Sequence, residues 1–276
     1  MIRIGFSGWV HHKNQKGISL MNEENFGICF SNLDPGQTYD YAMITNSVSG
    51  SGNFTKGIIF GPHIDFRNSE MASIPKNEKT YINFLSPWLL NLANIIYPNK
   101  NLVDLPFPVD INRFCPSEKN GKPVVYFKRR ERKILDDFFT YRNREDFIFY
   151  DYGSYPEEKF RSDIAEAPYC VWIGCHESQG FAFQETLSSD TPIFVIDVNS
   201  LRDEVGVWDS WMPDLDLKAT SASYFDSRCG MISSKDTFRE DFPIFIDSIG
   251  SLSPRNFILE TLSPRACINK WIKTLE

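Results

Sequence analysis

Along its whole length the chain alternates short apolar runs with turn-rich or helix-patterned segments. Apolar runs at 2–6, 26–31, 41–45, 56–60, 80–85 and 102–107 predict strands in the first part of the chain. Further runs at 124–127, 147–150, 169–173 and 193–196 predict strands in the second. Ser86 reads as an N-cap and Pro87 as the first position of a helix through Tyr97. A second helix is expected over 134–141, where Ile134, Leu135, Phe138 and Phe139 are apolar, and a third over 157–167. The last stretch, Pro254 to Glu276, is helical in pattern, with Ile258, Leu259, Leu262, Cys267, Trp271 and Ile272 on its apolar side. The polar stretch 10–17, the Asp34-Pro35-Gly36 turn and the run from Asn46 to Asn53 read as loops. Beyond Asp197 the pattern loosens around Trp208, Trp211 and Pro213, and local pattern assigns no role to the motif from Tyr224 to Gly230. Strands alternating with helices predict an α/β fold.

The stretch His176 to Glu185 organises the second half. It joins the run 169–173 to a helix and then to Pro192 and the strand 193–196, a strand, glycine turn, helix and strand in sequence. Backbone N–H groups of a glycine turn at a helix N-terminus suit an anion such as a diphosphate. Glu177 before the turn and Glu185 within the helix would repel phosphates, so they are placed to accept hydrogen bonds from the hydroxyls of a ribose or a sugar. A plain turn with one solvated and one helical glutamate is the competing reading. Upstream, Val124 to Phe127 runs directly into Lys128-Arg129-Arg130-Glu131-Arg132-Lys133, a cation cluster at the carboxyl end of a strand. Such a cluster either neutralises a diphosphate or begins a solvated basic helix. Tyr152, in the loop after the strand 147–150, could stack on a nucleotide base. In the first half, His11 and His12 follow the first strand, and His63 and Asp65 follow the strand 56–60 across Gly61-Pro62. Ligands of α/β sheets sit beyond the carboxyl ends of strands, which makes these residues candidates by position. A quiet surface loop and a Gly-Pro turn with a helix cap account for them equally well.

Glu177-x-x-Gly180-Phe181-x-x-x-Glu185 followed by a Pro192-led strand resembles the E-x7-E donor site of GT-B glycosyltransferases. The stretch Val109-Asp110-Ile111-Asn112-Arg113-Phe114-Cys115-Pro116 resembles the interdomain linker of that superfamily, with Pro108 where a glycine is usual. Together with Tyr126-Phe127-Lys128-Arg129-Arg130 and Tyr224-Phe225-Asp226-Ser227-Arg228-Cys229-Gly230, these motifs are similar to short, virus- and microbe-borne enzymes that decorate surface glycans. The likeness spans most of 55–265 and leaves the first 55 residues unmatched. It implies two Rossmann-like domains facing each other across a cleft, an acceptor-side domain over 1–115 and a donor domain over 116–276, with the C-terminal helix crossing back to the first. It also implies a nucleotide-sugar donor, a UDP-sugar of a hexose or a pentose such as xylose, and a glycan or glycoprotein acceptor. Glu177 would approach the donor sugar and Glu185 the ribose. Ser178, Gln179, Gly180 and Phe181 would form the diphosphate turn, while Lys128, Arg129 and Lys133 grip the phosphates. Arg129 matches the family's arginine, whereas Lys133 is one residue off register and Lys128 stands for a usual glycine. His11, His12, His63 or Asp65 would supply a base if the reaction inverts.

The chain has 276 residues, 42% of them hydrophobic and 14% aromatic, enough for two modest α/β domains with real cores. Its net charge of -7 argues against general nucleic-acid binding. Six cysteines without a C-x-x-C pair predict reduced thiols and a cytoplasmic setting. No apolar run approaches a membrane span, and the N-terminus reads as a strand rather than a signal peptide. There is no phosphate-binding P-loop, zinc spacing or serine-nucleophile elbow. Asp214-Leu215-Asp216 is a D-x-D in an irregular region, so no metal or other cofactor is expected. A non-catalytic nucleotide- or sugar-binding protein on the same fold is the alternative function.

Overall fold

The computed structural model describes residues 1–48, 53–65, 67, 69–75, 77–204, 212 and 214–276. Positions 49–52 of the expected Asn46–Asn53 loop, and Trp208, Trp211 and Pro213, lie outside the described residues. The chain divides into two compact units, residues 1–110 with 261–276 and residues 111–260. The break falls inside the stretch from Pro106 to Pro116.

The first unit runs β1 (Ile2–Ser7), α1 (His12–Glu23), β2 (Ile28–Asn32), β3 (Tyr39–Ile44), β4 (Phe54–Phe60), β5 (Thr80–Phe84), α2 (Pro87–Ile96) and β6 (Leu102–Asp104). Its strands all pair parallel in the order β2-β1-β3-β4-β5-β6. The expected loop at 10–17 is instead the start of α1. His11 caps it, its ring Nδ1 accepting the Lys13 N–H at 3.3 Å. Ile18, Leu20 and Met21 bury its inner face. Gly17 lets the helix approach closely, since a Cβ there would lie 2.7 Å from the Cβ of Phe107. A narrow buried stripe, and not local propensity, holds this helix.

The second unit runs β7 (Val124–Lys128), α3 (Arg132–Tyr141), β8 (Ile148–Asp151), α4 (Glu157–Glu166), β9 (Cys170–Gly174), α5 (Phe181–Ser188), β10 (Ile193–Ile196), β11 (Gly230–Ser233), α6 (Phe238–Ser248) and α7 (Pro254–Thr261). Its parallel sheet has the order β11-β10-β9-β7-β8. Alternate residues of each strand bury on opposite faces. Val125, Phe127, Val171, Ile173, Phe194 and Ile196 meet Phe138 of α3 and Phe242 and Phe245 of α6. On the other face Tyr126 stacks on Trp172 at 4.0 Å, with Phe160 of α4 and Phe183 of α5 against them. The sequence pattern hid α6 because Pro243 sits within it.

The helical run expected from Pro254 to the end is two helices. Pro264 takes the first turn of α8 (Pro264–Leu275), and the side chain of Ser263 accepts the Ala266 N–H at 3.2 Å, so a new helix starts there. α8 belongs to the first unit, in keeping with the expected return of the C-terminal helix. It packs on α1, and the fully buried Trp271 donates from Nε1 to the Pro106 carbonyl at 2.9 Å and lies edge-on to Phe30 at 5.2 Å. Lys270 pairs with Asp104 at 2.6 Å.

In each sheet the first strand of the unit lies between its second and third. Connections from the two central strands therefore leave in opposite directions, which opens a crevice at their carboxyl ends. That places the loops after β1 and β3, and those after β7 and β9, at the ligand positions of their units.

Trp271→Ala should lower the stability of the first unit by about 3–5 kcal/mol, from lost burial, the cavity and the orphaned Pro106 carbonyl. Urea unfolding followed by circular dichroism checks this; a loss under about 1 kcal/mol would mean that α8 contributes little to that core.

Candidate functional site

In the second unit the loops after β7 and β9 meet side by side, with Lys128 in register with Gly174. The Cys175 N–H donates to the Lys128 carbonyl at 2.8 Å, and the Glu177 N–H to the Thr220 carbonyl at 3.2 Å. Lys128 Nζ donates to both carboxylate oxygens of Glu177, at 2.8 and 2.9 Å, and lies 4.5 Å from the centroid of the Tyr152 ring. Burial opposes the Lys128 ammonium, but Glu177 outweighs it and the pKa is raised overall. Arg129 is exposed, with its guanidinium 5.4 Å from the same ring. It has a φ of 49°, in the left-handed region, so the chain reverses there and sends its neighbours to different sides.

The rest of the cation run disperses. Arg130 turns inward and donates to the carbonyls of Gly174 at 3.0 Å and Ile196 at 3.4 Å, tying together the ends of β9 and β10. Burial lowers its pKa, against the pull of Asp197, Asp203 and Glu204. Lys133 is exposed on α3 and pairs with Asp137 at 2.6 Å, away from the phosphate role expected of it. The chain thus separates four of these cations: Lys128 meets Glu177, Arg129 lies exposed beside Tyr152, Arg130 ties strand ends and Lys133 is solvated on α3.

Gly180 caps α5 with φ 79°, and a Cβ there would come within 3.0 Å of the Glu177 Cβ, so the turn and the glutamate are packed on each other. Gln179 is buried, and its carbonyl accepts from Ser223 Oγ and Gln184 Nε2. Ser178 is exposed and Phe181 half-buried. The first N–H groups of α5 face this turn without partners from within the helix. Glu185 is buried on α5. Its charge reaches Arg113, whose pKa is raised chiefly by its hydrogen bond to Glu158, and Tyr155, whose hydroxyl is pushed up first by burial. Tyr155 also feels Lys128, and hydrogen-bonds Tyr126 at 3.3 Å. Tyr155 and Arg113 complete an arc from Lys128 to Glu185. The sequence marked neither, because their relation to Glu185 exists only in the folded unit.

The residues following β9 hold a further group. The Nδ1 of His176 lies 2.6 Å from Glu204 Oε1, and Cys175 Sγ donates to the His176 carbonyl at 3.5 Å. Among the described residues, Cys175, His176 and Glu204 are a group whose ligand atoms gather within 4.8 Å, as a metal ion would need. Burial pushes the Cys175 thiol up to about 12, so without an ion it stays protonated at neutral pH. Asp216 of the D-x-D is exposed and lies 3.7 Å from Lys218.

In the first unit, the loops after β1, β3 and β4 bring Trp9, His11, His12 and His63 together. The His11 N–H donates to His63 Nε2 at 3.2 Å, the His11 and His12 rings are 4.3 Å apart, and Trp9 is 4.9 Å from His63. Asp65 turns instead to Arg67, whose guanidinium donates to Oδ1 at 3.0 Å and to Oδ2 at 2.9 and 2.5 Å and lowers its pKa.

No protein-family model matches the chain, and no curated protein matches it. Solved structures do. A lipopolysaccharide outer core galactosyltransferase, WaaB, in its apo form aligns over 99% of both chains at 13% identity and a TM-score of 0.56. Sucrose-phosphate synthase from Thermosynechococcus elongatus aligns over 84% of this chain and 72% of its own at 12% identity and a TM-score of 0.53. An S. aureus TarM variant crystallised with fondaparinux, α-GlcNAc-glycerol and UDP aligns over 86% of this chain and 50% of its own, at 12% identity and a TM-score of 0.50. The fold is therefore the α/β fold of GT-B type, with two Rossmann-like units, that the sequence implied. No helix among the described residues is long and apolar enough to cross a membrane.

The imidazole cluster has a pH signature. Burial, then the nearby His11, lowers the pKa of His63 to about 4 from an ordinary 6.5. The unfolded chain thus binds a proton that the folded chain refuses between those values. The contribution of His63 is fully present above pH ~6.5 and is lost as pH falls towards ~4. His63→Gln should flatten that part of the stability profile, measured by urea unfolding at stepped pH. An NMR titration placing the His63 midpoint above 6 would contradict the assignment.

Proposed function

We propose that the protein is a glycosyltransferase that moves a sugar from a nucleotide-sugar donor to a hydroxyl of a glycan or glycoprotein. The observation that carries this reading is the set of groups at the β7/β9 crevice of the second unit. Lys128, Arg129, the Gly180 turn with the N-terminus of α5, and the two carboxylates Glu177 and Glu185 converge there. Cations and helix amides suit the diphosphate of a UDP-sugar, and an exposed Tyr152 suits its base. Glu185 takes the ribose hydroxyls and Glu177 the sugar. The bond from the anomeric carbon to the diphosphate breaks as the bond to the acceptor oxygen forms. Negative charge grows on the leaving phosphate, where Lys128, Arg129 and the Gly180 and Phe181 amides stabilise it. For Lys128 to do so it must share or release Glu177, so donor binding and presentation of Glu177 to the sugar are coupled. The first unit would bind the acceptor. If the reaction inverts, His11 or His12 would supply the base; the conjugate acid of His63 is too strong at neutral pH, and the same holds for Asp65, whose pKa is lowered by Arg67. The transfer needs no metal, because fixed cations already offset the diphosphate.

A second reading, a non-catalytic nucleotide- or sugar-binding protein, is favoured by one observation: both oxygens of Glu177 are held by Lys128. Calorimetry with UDP, combined with hydrolysis and transfer assays on a panel of UDP-hexoses and UDP-xylose, separates the two. Binding without turnover of any donor supports the second.

Three variants test the roles. Arg129→Ala should weaken UDP binding about ten- to a hundredfold, the loss of a charge-assisted contact of ~1.5–3 kcal/mol. Glu185→Gln should cost UDP roughly 1–3 kcal/mol through the ribose. Glu177→Gln should bind UDP as well as the parent or better, because Lys128 is released to the phosphates, while transfer falls. If Glu177→Gln loses more UDP affinity than Glu185→Gln, the two carboxylates have been assigned the wrong way round.

Transfer in excess EDTA should run at the parent rate. Loss restored by manganese or zinc would move attention to Asp214 and Asp216 or to Cys175, His176 and Glu204.

A further inference from the structure

Trp9 is 58% exposed, yet its backbone is held at both its N–H and its carbonyl and its ring lies against His63. A single exposed apolar side chain is ordinary. What sets this one apart is its support. Gly8 before it has φ +98°, and a Cβ there would lie 2.3 Å from Asn46 Oδ1 and 2.7 Å from Thr45 Oγ1, so only glycine fits. The Trp9 N–H donates to Asn46 Oδ1 at 3.3 Å, and its carbonyl accepts from the buried Thr45 Oγ1 at 2.7 Å. The indole is tilted against His63 at 4.9 Å and meets His11 edge-on at 6.0 Å. His63 is in turn fixed by its own N–H, which donates to the Thr45 carbonyl at 2.7 Å. The ends of β1, β3 and β4 thus combine to hold a large aromatic ring in place with more than half its surface open.

We propose that Trp9 is a stacking platform for a pyranose ring of the acceptor, an assignment that rests on the glycosyltransferase reading. The physical match is specific. A pyranose presents a face of C–H groups, which are slightly positive and apolar, and an indole face is apolar and negative at its centre. The hydroxyls around the sugar's rim need polar partners; the imidazole of His11 borders the indole, with the His12 ring 4.3 Å from that of His11. Pinning the ring beforehand removes the entropy that a free side chain would lose on binding. The burial that keeps His63 uncharged also keeps a cation from lying against the indole and competing for its face.

The test uses the parent 276-residue chain, Trp9→Phe and Trp9→Ala with lactose, maltose and diacetylchitobiose as probes, sorbitol as an open-chain control and uridine as a competing aromatic. In saturation-transfer NMR at least one disaccharide should show saturated ring protons with the parent and sorbitol none. That signal should fall about tenfold in Trp9→Ala, the loss of one stacked ring, and be largely kept in Trp9→Phe. UDP affinity, measured on the same samples, should agree within about twofold among all three proteins, which also shows that the variants are folded. The platform is overturned if the disaccharide signal is the same in Trp9→Ala, if no disaccharide is saturated while UDP binds, or if uridine is the probe whose signal depends on Trp9. Failure of the parent to bind UDP at all would instead count against the glycosyltransferase reading, and a Trp9-dependent disaccharide signal would then still establish the sugar platform.

Discussion

Strand order is the constraint on which both units depend. Each begins a parallel sheet in its middle, places the second strand on one side and the third on the other, and then continues outward. Parallel strands are covered on both faces, so their side chains are committed to cores and only the connections remain for chemistry. Where the direction of winding reverses, two neighbouring connections diverge and backbone amides are left unshielded. In the second unit that point lies between Lys128 and Gly174, and in the first between Ser7 and Ile44. Both candidate sites are consequences of topology before they are consequences of any particular side chain.

The ion pair between Lys128 and Glu177 shows how the second site is held ready. Its two side chains are only 13% and 11% exposed, so neither charge is fully solvated. Such a pair is weak support for the fold, since the attraction roughly offsets the cost of taking both charges out of water. Removing one member leaves the other stranded. A pair of little net stability that strongly penalises separation suits exchange: under the proposed function an incoming diphosphate would take Lys128 while Glu177 turns to the hydroxyls of the sugar. The glycine turn reinforces this, because Gly180 packs directly on Glu177 and couples the carboxylate to the amides at the start of α5.

The first unit works with neutral groups instead. His63 is kept uncharged by burial, and its ring accepts a backbone N–H, so it acts as a wedge that sets the loop carrying His11 and Trp9. The two units therefore present different chemistry at equivalent topological positions, cations and carboxylates in one, aromatic and imidazole rings in the other.

Much of this was legible in the sequence. The apolar runs located nearly every strand, because a strand buried on both faces must be apolar throughout. The glutamate spacing, the glycine turn and the proline-led strand marked the second site, because chain neighbours remain neighbours within one βαβ unit. Helix α1 was invisible, since it depends on a stripe buried by β2, Phe107 and α8, and α6 was masked by Pro243. The sequence also could not sort the cation run: Lys128, Arg129, Arg130 and Lys133 are alike in composition. A left-handed backbone at Arg129 and the onset of α3 decide which one meets Glu177, which faces solvent and which ties two strands together. Tyr155, Arg113 and the support of Trp9 likewise come from contacts between distant segments. Sequence determined most of the strands and the place of the glycine turn, because those depend on periodicity and near neighbours. Tertiary structure decided which side chains share a site, because that depends on strand order and burial, which no local pattern records.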